Sequence, residues 1–437
     1  MLDINFVRQN KDQVKEACLN KNLDPSIVDQ LLEVDEERRL LQQKTDGLKA
    51  EINKKTKEIQ EIIVSNQKNL KDGEVSTGLN LPTKEESDFN EKLEESKNLK
   101  TKLKDLEPQD KEINEKYLEL LSSIPNIPAA DVPVGKDENS NQVVRQEGQK
   151  REFDFTPKTH EIIMKDLDWL DTERATKIAG FRAYFLKNDA LMLEQALMLY
   201  ALSIMKKHGF TPMSVPSLVN KEAMFGTGYF PWGAEDHYYT QDGQILAGTA
   251  EVALTSYYGG ELLREKDLPI KICGISPCYR REVGSYGKDT KGIIRVHQFN
   301  KVEQVVLTVA DEEVTRDWHQ KMLGFSEELL RGLNLPYQVL LMCTGDMGAG
   351  QRKKYDIETW FPGQSKYRET HSASYFNDFQ SRRLNIRYQA KDGSTKFVYT
   401  LNNTVAASPR LLAAVIENYQ QADGSVEIPE VLRPFMI

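Results

Sequence analysis

The sequence predicts an α+β chain in which a long antiparallel coiled-coil hairpin precedes a body of mixed strands and helices. Three features predict it: two heptad seams within residues 1–125, a helix-to-strand transition at 190–216, and a β-branched run at 293–307. In the first seam, Ile27, Leu31, Val34, Arg38, Leu41, Thr45, Leu48, Ile52, Lys55, Ile59 and Ile62 alternate four and three apart, with three imperfect positions. Residues 65–83, with Gly73, Gly78 and Pro82, interrupt the pattern. The second seam runs Phe89, Leu93, Ser96, Lys100, Leu103 and then Asp110, Ile113, Tyr117 and Leu120. Two such helices around one turn form a hairpin. At 1.5 Å per residue the first spans roughly 55 Å, so the arm is expected to project.

A chain of 437 residues has room for two or three domains and a large core. Its formal charge of −9 excludes a uniformly basic nucleic-acid binder, but not a local patch. Windows 42–60 and 92–104, side by side in a hairpin folded near residue 74, hold ten lysines against five carboxylates. Such a band suits an ordinary solvated coiled coil, and it also suits a phosphate backbone. Residues 126–150, with Pro128, Pro133 and a polar run, are expected to be a linker to a body at 151–437.

In that body, 190–208 is periodic in apolar residues and Gly209 ends the helix. An extended segment ending at Pro216 follows. The run 293–307 lacks Gly and Pro, so it reads as a strand with Arg295, His297, Phe299, Lys301 and Glu303 on one face. Arg280 and Glu282 share a face of the preceding strand, and the joining segment 284–292 is rich in Gly and cations. Arginine forks and one aromatic suit a phosphate-bearing, planar-ringed ligand, while an amphipathic hairpin with one wet face is the plainer alternative.

The order Arg280-x-Glu282, loop, Arg295-x-His297-Gln298-Phe299-x-Lys301-Val302-Glu303 resembles motif 2 of class II aminoacyl-tRNA synthetases, and in its wording the seryl-tRNA synthetases. The helix and strand at 190–216 resemble motif 1, the dimer-forming element. Thr249-Ala250-Glu251 resembles the family's serine-binding loop, although Thr249 is also a good helix N-cap with Glu251 in the first turn. Residues 367–383, with Glu369, Thr370, His371 and Ser372, correspond to the stretch that binds ATP and Mg²⁺, and Glu369 and Ser372 offer hard oxygens. Residues 401–410 resemble motif 3, with Ser408 as N-cap, Pro409 at N1 and Arg410 in the first turn of a helix through Tyr419. His371, Arg281 and the segment Asn403 to Pro409 depart from the common family pattern.

The resemblance covers nearly the whole chain. It implies an antiparallel sheet flanked by helices, a homodimer, and ATP-dependent attachment of L-serine to serine tRNA, and to selenocysteine tRNA where the organism has one. ATP would meet Arg280, Arg281, Glu282, Arg295, Phe299, Glu369, Thr370, His371, Ser372 and Arg410, with Arg280 and Arg410 catalytic. Serine would meet Thr249, Ala250, Glu251, Arg280, Glu303 and Thr404. Mg²⁺ would bind Glu369 and Ser372, and the tRNA would meet Lys54, Lys55, Lys97 and Lys100 on an arm belonging to the N-terminal unit 1–125. Zinc is not expected: Cys18, Cys273, Cys278 and Cys343 contain no C-x-x-C pair and read as reduced core residues of a cytoplasmic protein. No segment reads as a membrane span or export signal. Two other readings are an amino-acid:carrier-protein ligase, whose known relatives lack the long arm, and an inactive coiled-coil scaffold, which the intact Arg280, Glu303, Glu369 and Arg410 oppose.

Overall fold

The seams build two helices, α1 (Ser26–Asn69) and α2 (Thr83–Ser122). They belong to a computed structural model that describes residues 1–69, 83–284, 287, 289 and 291–436. The turn near residue 74 and residues 285, 286, 288 and 290 of the cationic loop at 284–292 lie outside the described residues. Leu31, Val34, Leu41 and Thr45 are buried, and Ser96 is buried on the second helix. At an imperfect seam position the Arg38 guanidinium lies 4.3 Å from the Tyr117 ring centre, so a cation–π contact fills the place of an apolar pair. Lys55 likewise spans the seam to Glu95 at 2.5 Å. Lys100 is exposed while Leu99 and Leu103 are half-buried, so the seam passes through Leu99 and not through Lys100 as its spacing had suggested. The second helix also runs on through Pro108.

The hairpin, Pro25–Ser123, is one compact unit, and Met1–Asp24 clusters with Ile124–Ile437 in the other. In the second unit the main strands are β1 (Gln142–Glu147), β2 (Thr211–Ser214), β3 (Ile270–Tyr279), β4 (Gln298–Thr308), β5 (Tyr337–Leu341), β6 (Lys353–Phe361), β7 (Lys366–Asn377) and β8 (Tyr399–Ala407). They form one eight-stranded sheet in the order β1-β5-β6-β7-β8-β4-β3-β2. All its pairs are antiparallel except β2 with β3. Pro212 is tolerated because β2 is an edge. Helices α3 (Asp189–Lys207), α5 (Glu312–Gly332) and α6 (Ser408–Tyr419) flank the sheet. Leu193, Leu197, Met322, Leu329, Leu411 and Val415 bury their apolar sides in the same core as Val302, Val306 and Val405.

Three expectations are corrected here. Residues 126–150 are not a free linker: they supply the edge strand β1, and Asn126 donates to the carbonyls of Gly350 and Phe376 at 3.1 and 2.8 Å. The run from 293 enters the sheet only at Gln298. Before it, the Ile293 N–H donates to the His160 ring and the Arg295 carbonyl accepts from Arg182, so no ladder forms. Ile293, Ile294 and Val296 are nonetheless buried, which accounts for their β-branched, strand-like composition. Finally, β3 ends at Tyr279, so Arg280 and Glu282 leave the sheet instead of sharing a strand face.

Candidate active site

A cavity of about 240 Å³ opens over one face of the sheet, walled by side chains from β4, β6, β7, β8 and α6. Phe299, Lys301 and Glu303 alternate along β4, so its period of two delivers all three to the cavity. Glu303 pairs in register with Thr404 on β8, and the Thr404 hydroxyl donates to its Oε2 at 3.2 Å. Lys301 Nζ lies 2.8 Å from the same oxygen.

Glu251 enters from α4 (Glu251–Ser256). It is buried, with the Tyr229 hydroxyl and the Gln380 amide each donating at 2.8 Å. Burial, reinforced by the nearby Glu303 carboxylate, pushes its carboxyl up to about 7. Thr249 does not reach the cavity. Its hydroxyl accepts the Glu251 N–H at 3.2 Å, and Ala250 already has helical angles, so Thr249 caps the helix that presents Glu251. Ala250 packs in an apolar cluster with Leu254 and Ile272.

At the other end, Glu369 lies opposite Glu358 and Ser372 opposite Asp356, with one extra residue on β7 between them. This bulge brings Glu369 and Ser372, three apart in sequence, to one side of the strand. The Arg410 guanidinium donates to the Glu369 carboxylate at 2.9 Å and to its carbonyl at 3.0 Å. Desolvation pushes the Glu369 carboxyl up, but Arg410 and then Lys354 outweigh it and hold it near 2. Arg410 sits in the first turn of α6, as expected. The cap differs, because Ala407 occupies the N-cap and the Ser408 hydroxyl instead accepts the Asn300 N–H at 3.2 Å.

Arg280 and Arg295 also line the cavity. The Arg280 guanidinium lies 5.3 Å from the Phe299 ring centre, and its Nε donates weakly to the Gly248 carbonyl at 3.4 Å. A side chain at Gly248 would press on Arg280 at 3.3 Å. Glu282 has φ +58, a left-handed conformation that costs free energy without glycine, and its carboxylate accepts from Arg295 at 2.8 Å. Arg281 faces away: it is exposed and donates to the Glu235 carbonyl.

Thr370 and His371 line the wall with their polar atoms already engaged. Val405 O can only accept, so His371 Nε2 carries the proton at 3.0 Å and Nδ1 accepts from Thr370 at 2.8 Å. Burial lowers His371 to about 4, so it is a neutral structural ring. Sequence reasoning missed Tyr229, Gln351, Lys354 and Asn402, which also line the cavity. Only Lys354 had a usable signal, since it alternates with Asp356 and Glu358 along β6.

Among the arm lysines, Lys54 and Lys100 are exposed and have no ion-pair partner among the described residues. Lys97 has only a loose contact with Glu94 at 3.7 Å, whereas Lys55 is occupied by Glu95. Among the described residues no helix is long and apolar enough to cross a membrane, and no group of three or more His, Cys, Asp or Glu could hold a metal.

A mostly antiparallel sheet presenting three arginines, an aromatic and several carboxylates in one cavity defines a class II synthetase core. Residues 237–419 match the family model described as the tRNA synthetase class II core domain (G, H, P, S and T), and residues 1–128 match the seryl-tRNA synthetase N-terminal domain. The chain is 43% identical to a serine–tRNA ligase of Deinococcus radiodurans and 41% identical to one of Methanosarcina barkeri, covering 100% of this chain and 97% of each relative. Its structure is similar to a seryl-tRNA synthetase from Pyrococcus horikoshii complexed with ATP (TM-score 0.84, 36% identity, 100% of this chain and 98% of that one). It is also similar to a cytoplasmic serine–tRNA ligase from Naegleria fowleri in complex with AMP (TM-score 0.83, 32% identity, 100% and 97%). The chain belongs to the seryl-tRNA synthetase family.

Proposed function

We propose that this cavity activates L-serine with ATP and passes the seryl group to serine tRNA. The observation that carries the reading is the division of one cavity into two ends. Glu251, Glu303 and Thr404 form an acidic, hydroxyl-bearing end, while Arg280, Arg410 and Glu369 form a phosphate-binding end. At the acidic end the carboxylates attract the ammonium of serine, and the polar groups satisfy its hydroxyl. Alanine, lacking that hydroxyl, would leave buried polar groups unpaired and be rejected. The serine carboxylate attacks the α-phosphorus, the bond to the β-phosphate oxygen breaks, and pyrophosphate leaves. The terminal ribose hydroxyl of the tRNA then attacks the seryl carbonyl, and AMP leaves. The protein's part is positioning and charge stabilisation, with Arg280 at the α-phosphate, Arg410 at the γ end and Phe299 against adenine.

Glu369 and Ser372 fit Mg²⁺: the carboxylate is held ionised beside a hydroxyl oxygen, and magnesium needs few protein ligands when phosphates and water complete its shell. When bound, Mg²⁺ neutralises phosphate charge. The hairpin, Pro25–Ser123, binds the long extra arm of the tRNA through Lys54, Lys97 and Lys100, with Lys55 contributing less because Glu95 holds it. A second copy of the chain completes a homodimer through the α3 region, where Leu191 and Leu199 are exposed. The enzyme works in the cytoplasm alongside translation. Serine-dependent ATP–pyrophosphate exchange followed by charging of purified serine tRNA tests the reading. Exchange that ignores serine, or seryl transfer to a carrier protein instead, would contradict it.

A further inference from the structure

Lys354 stands on the cavity face of β6, two residues before Asp356, with its Nζ 3.0 Å from Asp356 Oδ2. Both side chains are largely buried, at 17% and 7% exposure. An ammonium has three N–H donors. One serves Asp356, and the other two have no partner among the described residues although the side chain lines the cavity. The other cations on the wall have contacts of their own. Arg410 makes three hydrogen bonds, Arg295 is held by Glu282, and Lys301 closes on Glu303, which Thr404 also contacts. Arg280 reaches the Gly248 carbonyl and the Phe299 ring.

A buried ion pair adds little stability over an apolar pair of similar volume, because desolvating both charges offsets their attraction. Stability alone is therefore a weak reason for an ammonium at this wall. Lys354 shares that wall with Glu369 and Ser372, the end of the cavity assigned above to phosphate. We propose that Lys354 binds the phosphate chain of ATP, a resident cation that the Asp356 carboxylate aims and that adds to the charge of any bound Mg²⁺. The proposal rests on the reading of this cavity as an ATP site. Lys354 donates to phosphate oxygens, its contact to Asp356 fixes the side-chain angle, and no proton changes hands.

The test measures binding of ATP and of adenosine, which carries no phosphate, by calorimetry at fixed Mg²⁺. Lys354→Met should weaken ATP about tenfold while adenosine affinity and serine KM stay within twofold. Lys354→Arg should recover most of the loss. The double variant Lys354→Met/Asp356→Asn separates this role from a merely structural one, because it leaves no lone buried charge. ATP should stay weak in it. Wild-type ATP affinity in Lys354→Met, its restoration in the double variant, or an equal loss of adenosine and ATP would overturn the proposal. Serine-dependent exchange by the wild-type chain checks the underlying reading separately.

Discussion

In the hairpin, the residues that touch are set by steps of three and four along each helix, and its cations lie at the surface. In the cavity, Glu251, Glu303, Glu369 and Arg410 arrive from four separate elements, and each meets a hydrogen-bonding or ionic partner. Exposed ion pairs such as Lys97 with Glu94 are screened by water and contribute little. Inside the cavity, pairing with Arg410 holds the Glu369 carboxyl down, whereas burial and the nearby Glu303 carboxylate push Glu251 up. Placement therefore matters more than charge count. The arm can lose one lysine with a small effect, whereas the cavity cannot lose one arginine.

Arg280→Ala should cause the largest change. It removes a clamp whose interaction strengthens as charge develops at the α-phosphorus, so kcat for exchange should fall on the order of 10²–10³-fold, more than KM rises. Weaker ATP binding at unchanged kcat would contradict that role. Thr404→Val keeps the shape of its side chain and removes one hydroxyl. In serine-dependent kinetics it should cost about 1–3 kcal/mol in kcat/KM for serine, with ATP KM nearly unchanged. If serine kinetics stayed within twofold of the wild type, Thr404 would be a packing residue only.

Glu251 predicts a pH dependence. Because its folded value of about 7 stands above the ordinary 4.5, the folded chain holds the extra proton between those values. Stability contributed by that proton is complete at low pH and is lost as pH rises through about 7. Serine binding should move the opposite way, since the ionised carboxylate attracts the ammonium: serine KM should drop as pH climbs through 7. Glu251→Gln should flatten both profiles, measured by thermal unfolding and by initial rates. The smallest effects belong to the arm. Lys54→Ala with Lys100→Ala should weaken tRNA binding several-fold and flatten its salt dependence by about one slope unit per lost phosphate contact. Lys55→Ala, whose charge Glu95 already holds, should change that slope less.

The hairpin was legible because a heptad repeat needs only local spacing. Its one slip, Lys100 in place of Leu99, came from a spacing that does not say which of two adjacent residues turns inward. The β3–β4 pair was legible in composition but not in extent, since buried Ile293, Ile294 and Val296 look like strand whether or not a neighbouring strand exists. Within the cavity, residues carried by motif resemblance were easy to name. Arg281 shows the limit, because the left-handed turn at Glu282 and the bond to Glu235 decide where it points. Tyr229 and Gln380 were illegible, since each acts through Glu251 across a long stretch of chain.

The division of labour between the two regions is tested most directly by replacing residues 30–115 with a short Gly/Ser link and measuring both half-reactions on the same preparation. Every residue assigned to serine activation lies outside the deleted segment. Serine-dependent ATP–pyrophosphate exchange should therefore remain within a few-fold of the intact chain, while charging of serine tRNA should collapse. An armless protein that charged serine tRNA at near-normal efficiency would contradict the account and place tRNA selection in the catalytic body.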